Sequence, residues 1–220
     1  METFEIKVYG QKALFTDPMT KLGGEKTSYR IPTPEAIKGI LRSIYWKPAI
    51  LWVVDEFRVM SKIQSVNRNV KINKYDTANS SDLFIYTYLK DVEYRIRCHF
   101  EFNPAVQEDH NEKKHAAIMR RSIQRGGRKN VFLGTTECAA YVEECDFSEG
   151  VGAYDEYDEM PFNLMFHSFE YPEQNGEGKL YKYLYEPVMK NGIVATNGVP
   201  LKKMFMRDMT PETPFLKVGK

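Results

Sequence analysis

A chain of 220 residues with 42% hydrophobic content and a formal net charge of +1 can bury a sizeable core and is too apolar to be a disordered segment. Three cysteines, Cys98, Cys138 and Cys145, odd in number and without CxxC spacing, exclude a disulfide framework or a cysteine zinc site and read as reduced core residues. No apolar run is long enough to span a bilayer, and METFEIKVYG lacks the basic and apolar regions of a signal peptide, so the expectation is a cytoplasmic protein with no membrane partner.

Phe4, Ile6 and Val8 alternate with Glu5, Lys7 and Tyr9, the period of a half-buried strand, here expected to end at Gly10. Thr33 as N-cap, Pro34 at the first helical position and Ile37, Ile40, Leu41, Ile44 and Tyr45 at helical spacing predict a first helix over residues 34–46, ended by Pro48. AILWVVDEFRVM reads as a strand, and the polar stretch SVNRNVKINKYDTANSSD as a long loop or an excursion hairpin. From Leu83 to Phe102 alternation returns, with Val92, Tyr94, Ile96, Cys98 and Phe100 on one face and Glu93, Arg95, Arg97, His99 and Glu101 on the other.

Asn111 can cap a second helix that buries Ala116, Met119 and Ile123 and is stopped by Gly126-Gly127, and a further strand is expected within residues 131–146. The order β-α-β-β-α-β is the split ferredoxin-like arrangement also used by RNA-recognition modules, an α+β fold. It is expected over residues 1–146, with a smaller β-rich subdomain over 147–220 whose Asn197-Gly198 reads as a type I′ hairpin turn.

Charge is distributed unevenly along this order. Residues 1–130 hold 23 Lys and Arg against 15 Asp and Glu, residues 131–178 hold no base against 12 acids, and the remainder holds 8 against 3. The densest positive stretch is KKHAAIMRRSIQRGGRK, Lys113 to Lys129, with seven Lys or Arg and no acid. Such a stretch binds anions, and phosphodiester backbones are the commonest. Lys113, Lys114 and His115 fall in the first helical turn, where cations oppose the dipole and only Glu112 offsets them, a conflict that a ligand phosphate would relieve.

A neutral His beside a Lys suits metal-independent RNA cleavage, in which a ribose 2′-OH attacks its own 3′-phosphate. His115 would act as base and Lys114 would stabilise the phosphoryl oxygens. A phenol such as Tyr45 would orient the nucleophile or donate to the leaving 5′-oxygen. The plainer reading makes His115 a surface residue and Tyr45 a core aromatic with its hydroxyl in water. Arg121, Arg125, Arg128 and Lys129 would hold the backbone; Gly126 and Gly127 serve either as a helix C-cap or as a phosphate cradle. Arg95, Arg97 and His99 line either an RNA face or simply the solvent side of a sheet. The run YDEYDE, Tyr154 to Glu159, reads as a solvated loop and not as a metal site, and His110 and His167 have no evident ligand partners. No metal and no cofactor are expected.

The stretches LFTDPMTKLGGEKTSYRIPTPEAIKGILRSIYWKP, YTYLKDVEYRIRCHFEFN, NEKKHAAIMRRSIQRGGRKNVFLGTTECAAYV and FHSFEYP together resemble the CRISPR-associated Cas-five family of subtype d, the endoribonucleases of type I-C systems. The resemblance implies a RAMP-superfamily protein with a ferredoxin-like N-terminal domain, a glycine-rich loop after helix two and a small C-terminal sheet. It further implies metal-independent cleavage of precursor CRISPR RNA within the repeat and retention of the 5′ handle in an effector complex with other type I-C subunits. The catalytic Tyr, Lys and His of the family fall on Tyr45, Lys114 and His115. Two other readings remain open: a non-catalytic crRNA-binding scaffold, and a protein binding duplex DNA non-specifically or a metal-dependent DNase.

Overall fold

The computed structural model describes residues 2–18, 20, 24–73, 81–172 and 177–209. Gly23 of the GGEK segment and residues 74–80 of the polar stretch lie outside them. The first strand, β1 (Thr3–Ala13), buries Phe4, Ile6 and Val8 as its alternation requires. It does not end at Gly10. A Cβ there would meet the Ala139 carbonyl at 2.8 Å, so this glycine permits close strand approach and does not turn the chain.

After the two-residue β2 (Lys26–Thr27) comes helix α1 (Pro34–Ile44), capped by the Thr33 hydroxyl accepting from the Ala36 amide at 3.2 Å. Its buried face is Ile37, Ile40, Leu41 and Ile44, each side chain contributing about 1.5–3 kcal/mol by leaving water. Tyr45 is not in the helix, as its spacing suggested, but is the C-cap in extended conformation (φ −155°, ψ 130°). Strands β3 (Ile50–Val59), β4 (Ser65–Asn73) and β5 (Ser81–Phe102) follow. Strand β4 pairs with the first part of β5, making the polar stretch an excursion hairpin, while the second part of β5 pairs with β1 and β3.

Helix α2 (Glu112–Gln124) is capped by Asn111, whose side chain accepts from the Lys114 amide at 3.0 Å. Strands β6 (Val131–Phe132) and β7 (Ala139–Glu144) follow, with β7 antiparallel to β1. The order β7-β1-β5-β3 is antiparallel throughout, and the helices lie against its buried face, α1 beside β3 and α2 beside β7.

The later strands divide. Strands β8 (Met160–Pro161), β11 (Val188–Lys190) and β12 (Ile193–Ala195) extend the large sheet beyond β3. Strands β9 (Met165–Glu170), β10 (Lys179–Tyr185) and β13 (Lys202–Asp208) form a separate three-stranded sheet. The two-residue hairpin turn is at Asn191-Gly192, with φ of +47° and +78°, and not at Asn197-Gly198. Both positions read Asn-Gly, but only the first joins paired strands, Lys190 opposite Ile193.

On the outer face of the large sheet, Arg95, Arg97 and His99 are engaged within the protein. Arg97 is held by Glu5 and Glu56, Arg95 donates to the Asp146 carbonyl, and His99 Nδ1 lies 2.8 Å from Asp55 Oδ2. The acidic run contributes to this cover and is not simply solvated: Tyr154 is buried, and Asp155 pairs with the buried Arg58.

Candidate active site and nucleic-acid interface

The C-cap geometry of Tyr45 turns its side chain away from the α1 axis toward α2, and its carbonyl accepts from Trp52 Nε1 at 2.8 Å. On α2 the same 3.6-residue period that buries Ala116, Met119 and Ile123 also buries His115. His115 is 0% exposed and so is not the surface residue of the plainer sequence reading. Tyr45, 1% exposed, is a core aromatic as that reading had it, but with its hydroxyl against His115 and not in water. Tyr45 Oη lies 2.8 Å from His115 Nδ1, and His115 Nε2 lies 2.6 Å from the Asp109 carbonyl oxygen.

A carbonyl only accepts, so Nε2 carries hydrogen; in the neutral ring Nδ1 then accepts from the Tyr45 hydroxyl. The imidazole is surrounded by Phe100 and Phe102, at ring-centroid distances of 6.0 and 6.2 Å. Burial pushes the Tyr45 phenol above its ordinary value, with Asp109 adding to the shift and Arg128 drawing it back. Tyr45 therefore stays protonated at neutral pH and is a donor.

Lys114 is half exposed, and its ammonium pairs with the Asp109 carboxylate. That bond holds the Asp109 carboxyl below its usual range against the opposing effect of burial, with His115 and Lys47 adding to the lowering. Asp109 was not among the sequence-derived candidates; the available signal was an acid just before KKH, a second one beside Glu112. His110 stacks on Phe102 at 4.5 Å.

Lys114, Ile118, Arg121, Ser122 and Arg125 follow one stripe of α2 at helical spacing. From Ile118 onward, with Gly127 and Arg128, this stripe lines an open groove. Lys113, Arg121, Arg125, Arg128 and Lys129 are exposed and form no ion pair among the described residues. Arg128 also lies over the Tyr45 ring, 5.8 Å from its centroid, which connects the groove to the tyrosine.

The diglycine is a helix cap. Gly126 N donates to Ile123 O and Gly127 N to Ser122 O, both at 2.8 Å, the paired bonds of a Schellman motif, with φ of +76° and +108°. Arg128 N and Lys129 N donate to Ile44 O and Ser43 O at the end of α1. The four amides of residues 126–129 are thus occupied by carbonyls, so this loop offers an anion its side chains and not an N–H cradle. Among the described residues no three His, Cys, Asp or Glu side chains converge as metal ligands.

Fold and site define a mixed α/β protein, mostly antiparallel sheet with two helices, in which a buried Tyr–His pair adjoins an arginine-lined groove. Residues 3–196 match the family model Cas_Cas5d, described as CRISPR-associated protein (Cas_Cas5), and the chain belongs to this family. The CRISPR pre-crRNA endoribonuclease Cas5d of Mannheimia succiniciproducens is 28% identical over 215 residues, spanning 86% of this chain and 92% of that protein. Its namesake from Thermus thermophilus is 26% identical over 154 residues, 66% of each chain.

Two solved structures are similar over 91% of this chain: a CRISPR-associated protein, 32% identical with a TM-score of 0.70 over 96% of its length, and the functionally uncharacterized SMU1763c from Streptococcus mutans, 33% identical with a TM-score of 0.71 over 97% of its length.

Proposed function

We propose that this chain is the type I-C endoribonuclease that cleaves precursor CRISPR RNA within the repeat, without a metal, and remains on the 5′ handle beside the other effector subunits. The observation that carries the reading is the 2.8 Å contact between Tyr45 Oη and His115 Nδ1, with Lys114 at the head of the stripe that becomes the arginine groove. Both curated relatives bear the name of this activity.

The RNA backbone runs along Arg121, Arg125, Arg128 and Lys129, with Lys113 near the reacting end and Gly126-Gly127 shaping the turn. Tyr45 orients the ribose 2′-OH, His115 receives its proton through the Tyr45 hydroxyl, and Lys114 stabilises charge on the phosphoryl oxygens. The 2′-oxygen bonds to phosphorus as the bond to the 5′-oxygen breaks, leaving a 2′,3′-cyclic phosphate and a 5′-hydroxyl. The antiparallel order β7-β1-β5-β3 with both helices on one face supports a ferredoxin-like RAMP domain over residues 1–146. The separate sheet β13-β10-β9 supports a β-rich subdomain within 147–220.

The test is incubation of the protein with repeat RNA in excess chelator. Cleavage that disappears when the nucleotide at the cut carries a 2′-deoxyribose is the expected result. Intact RNA in chelator overturns the mechanism and leaves the scaffold role, and magnesium-dependent cutting of duplex DNA would point to the DNase instead.

A further inference from the structure

The reacting groups are closed off in the free protein. His115 and Tyr45 have essentially no exposed surface, and the group against His115 Nε2 is the exposed Asp109, from the connection between β5 and α2. Asp109 makes two contacts there. Its carbonyl takes the Nε2 hydrogen of His115, and its carboxylate pairs with Lys114 and reaches to 3.7 Å from His115 Nε2. One anionic group is therefore set against Lys114, assigned above to the phosphoryl oxygens, and against the Nε2 edge of the His115 ring beside it. Resting on the reading of Tyr45, Lys114 and His115 given above, we infer that Asp109 occupies the place of the scissile phosphate in the free protein, and that RNA engages the site by displacing it.

The chain around Asp109 is built for release. Asn103 anchors the near end, its amide donating to the Ala49 carbonyl and its side chain to the Pro48 carbonyl. Between Asn103 and Asn111 only Val106 is even half-buried, and His110 stacks on Phe102 while staying exposed, so little apolar surface holds the segment down. Asp109 itself adopts a left-handed backbone (φ +65°), which Asp tolerates but does not prefer, so its polar contacts hold it there. A phosphodiester carries the same single negative charge as the carboxylate and can exchange for it on Lys114 without leaving that ammonium unpaired.

Displacement has a chemical consequence at His115. While Asp109 is in place, the Nε2 hydrogen is spent on a carbonyl. Once Asp109 leaves, Nε2–H faces the phosphate and can protonate the departing 5′-oxygen, while Nδ1 takes the 2′-OH proton through Tyr45. One proton enters at Nδ1 and one leaves from Nε2, so the ring ends neutral in its other tautomer. The 2′-O–P bond forms as the P–O5′ bond breaks, with no further proton donor required.

The test is Asp109→Asn, which keeps the side-chain shape and a residue that tolerates the left-handed backbone, with Asp109→Gly as a second variant should the first not fold. Binding is measured with repeat RNA carrying a 2′-deoxyribose at the cut, and cleavage separately under single turnover. The expected result is binding about two- to fivefold tighter, with the slope of log K against log salt steeper by about 0.7 because Lys114 now pairs only with phosphate. The half-saturating RNA concentration should fall while the maximal rate stays within about twofold. Unchanged or weaker binding with an unchanged slope, or a fall in maximal rate alone, overturns the inference and makes Asp109 a support for Lys114. His115→Ala separates the two levels: if that variant still cleaves like the unaltered protein, the reading of the site itself has failed.

Discussion

The hydroxyl of Tyr45 and Nδ1 of His115 meet at 2.8 Å across 70 positions of sequence, one at the end of α1 and the other in the first turn of α2. Tyr45→Phe removes that contact while keeping the ring in its packing. Cleavage of repeat RNA should fall by about 10²–10⁴-fold with RNA affinity nearly unchanged. The melting temperature should drop by about 2–12 °C, because the buried Nδ1 loses its partner at a cost of about 1–3 kcal/mol. Single-turnover rates and thermal melts on the same preparation measure both.

Arg125 and Arg128 stand in the groove without an ion-pair partner among the described residues. Each, changed to Ala, should flatten the dependence of log K on log salt by about 0.7, the contribution of one phosphate on a single strand. Arg120, paired with Glu2, should leave the slope where it is. Equal slopes for all three variants would place the RNA on another surface.

Two glycines with positive φ should respond very differently to Ala. At Gly126 the added Cβ meets open space, so only the left-handed backbone is penalised, by about 1 kcal/mol. At Gly134 (φ +97°) the Cβ would lie 2.0 Å from the Leu14 carbonyl oxygen, an overlap of backbone on backbone. Gly134→Ala should cost more than about 3 kcal/mol or prevent folding. Denaturant titration of the two variants checks the ranking.

His167, on β9, is held below the ordinary imidazole value of 6.5 chiefly by burial, with Lys38 adding to it and the Thr196 carbonyl and Glu35 opposing. The unfolded chain then binds the proton more readily than the folded one between 6.5 and the lower folded value. Stability is therefore full above that window and declines as pH falls through it. The melting temperature should drop from about pH 7.5 to about pH 5.5, and His167→Gln, which keeps a donor for Thr196, should shrink the drop. An identical drop in the variant would assign the pH dependence to other groups.

Much of this was legible in the chain because it depends on local periodicity and on caps. Thr33, Pro34 and Asn111 place both helix starts, and the alternation from Val92 to Phe100 gives the inner face of β5. The stripe of Ala116, Met119 and Ile123 is written in the sequence as well, and so is the basic character of α2. What the chain did not give were facts that depend on a distant segment. The pairing of Arg97 with both Glu5 and Glu56, the hold of Asp155 on Arg58 and the meeting of Tyr45 with His115 each join positions whose proximity follows only from how the elements pack. The Asn191-Gly192 turn was missed for the same reason, since two Asn-Gly pairs look alike until the strands around one of them are seen to pair.

The amides of Arg128 and Lys129 close the last carbonyls of α1, immediately before Tyr45. Surface loops ordinarily tolerate changes in length, because closing a slightly longer loop costs little. Here the spacing between the diglycine and Val131 acts as a gauge. One residue inserted between Gly127 and Arg128 would move both amides off Ser43 and Ile44, fray the end of α1 and carry the tyrosine away from its histidine, with every groove arginine still present. Homologous chains that keep this chemistry should therefore vary in the sequence of the segment far more than in its length.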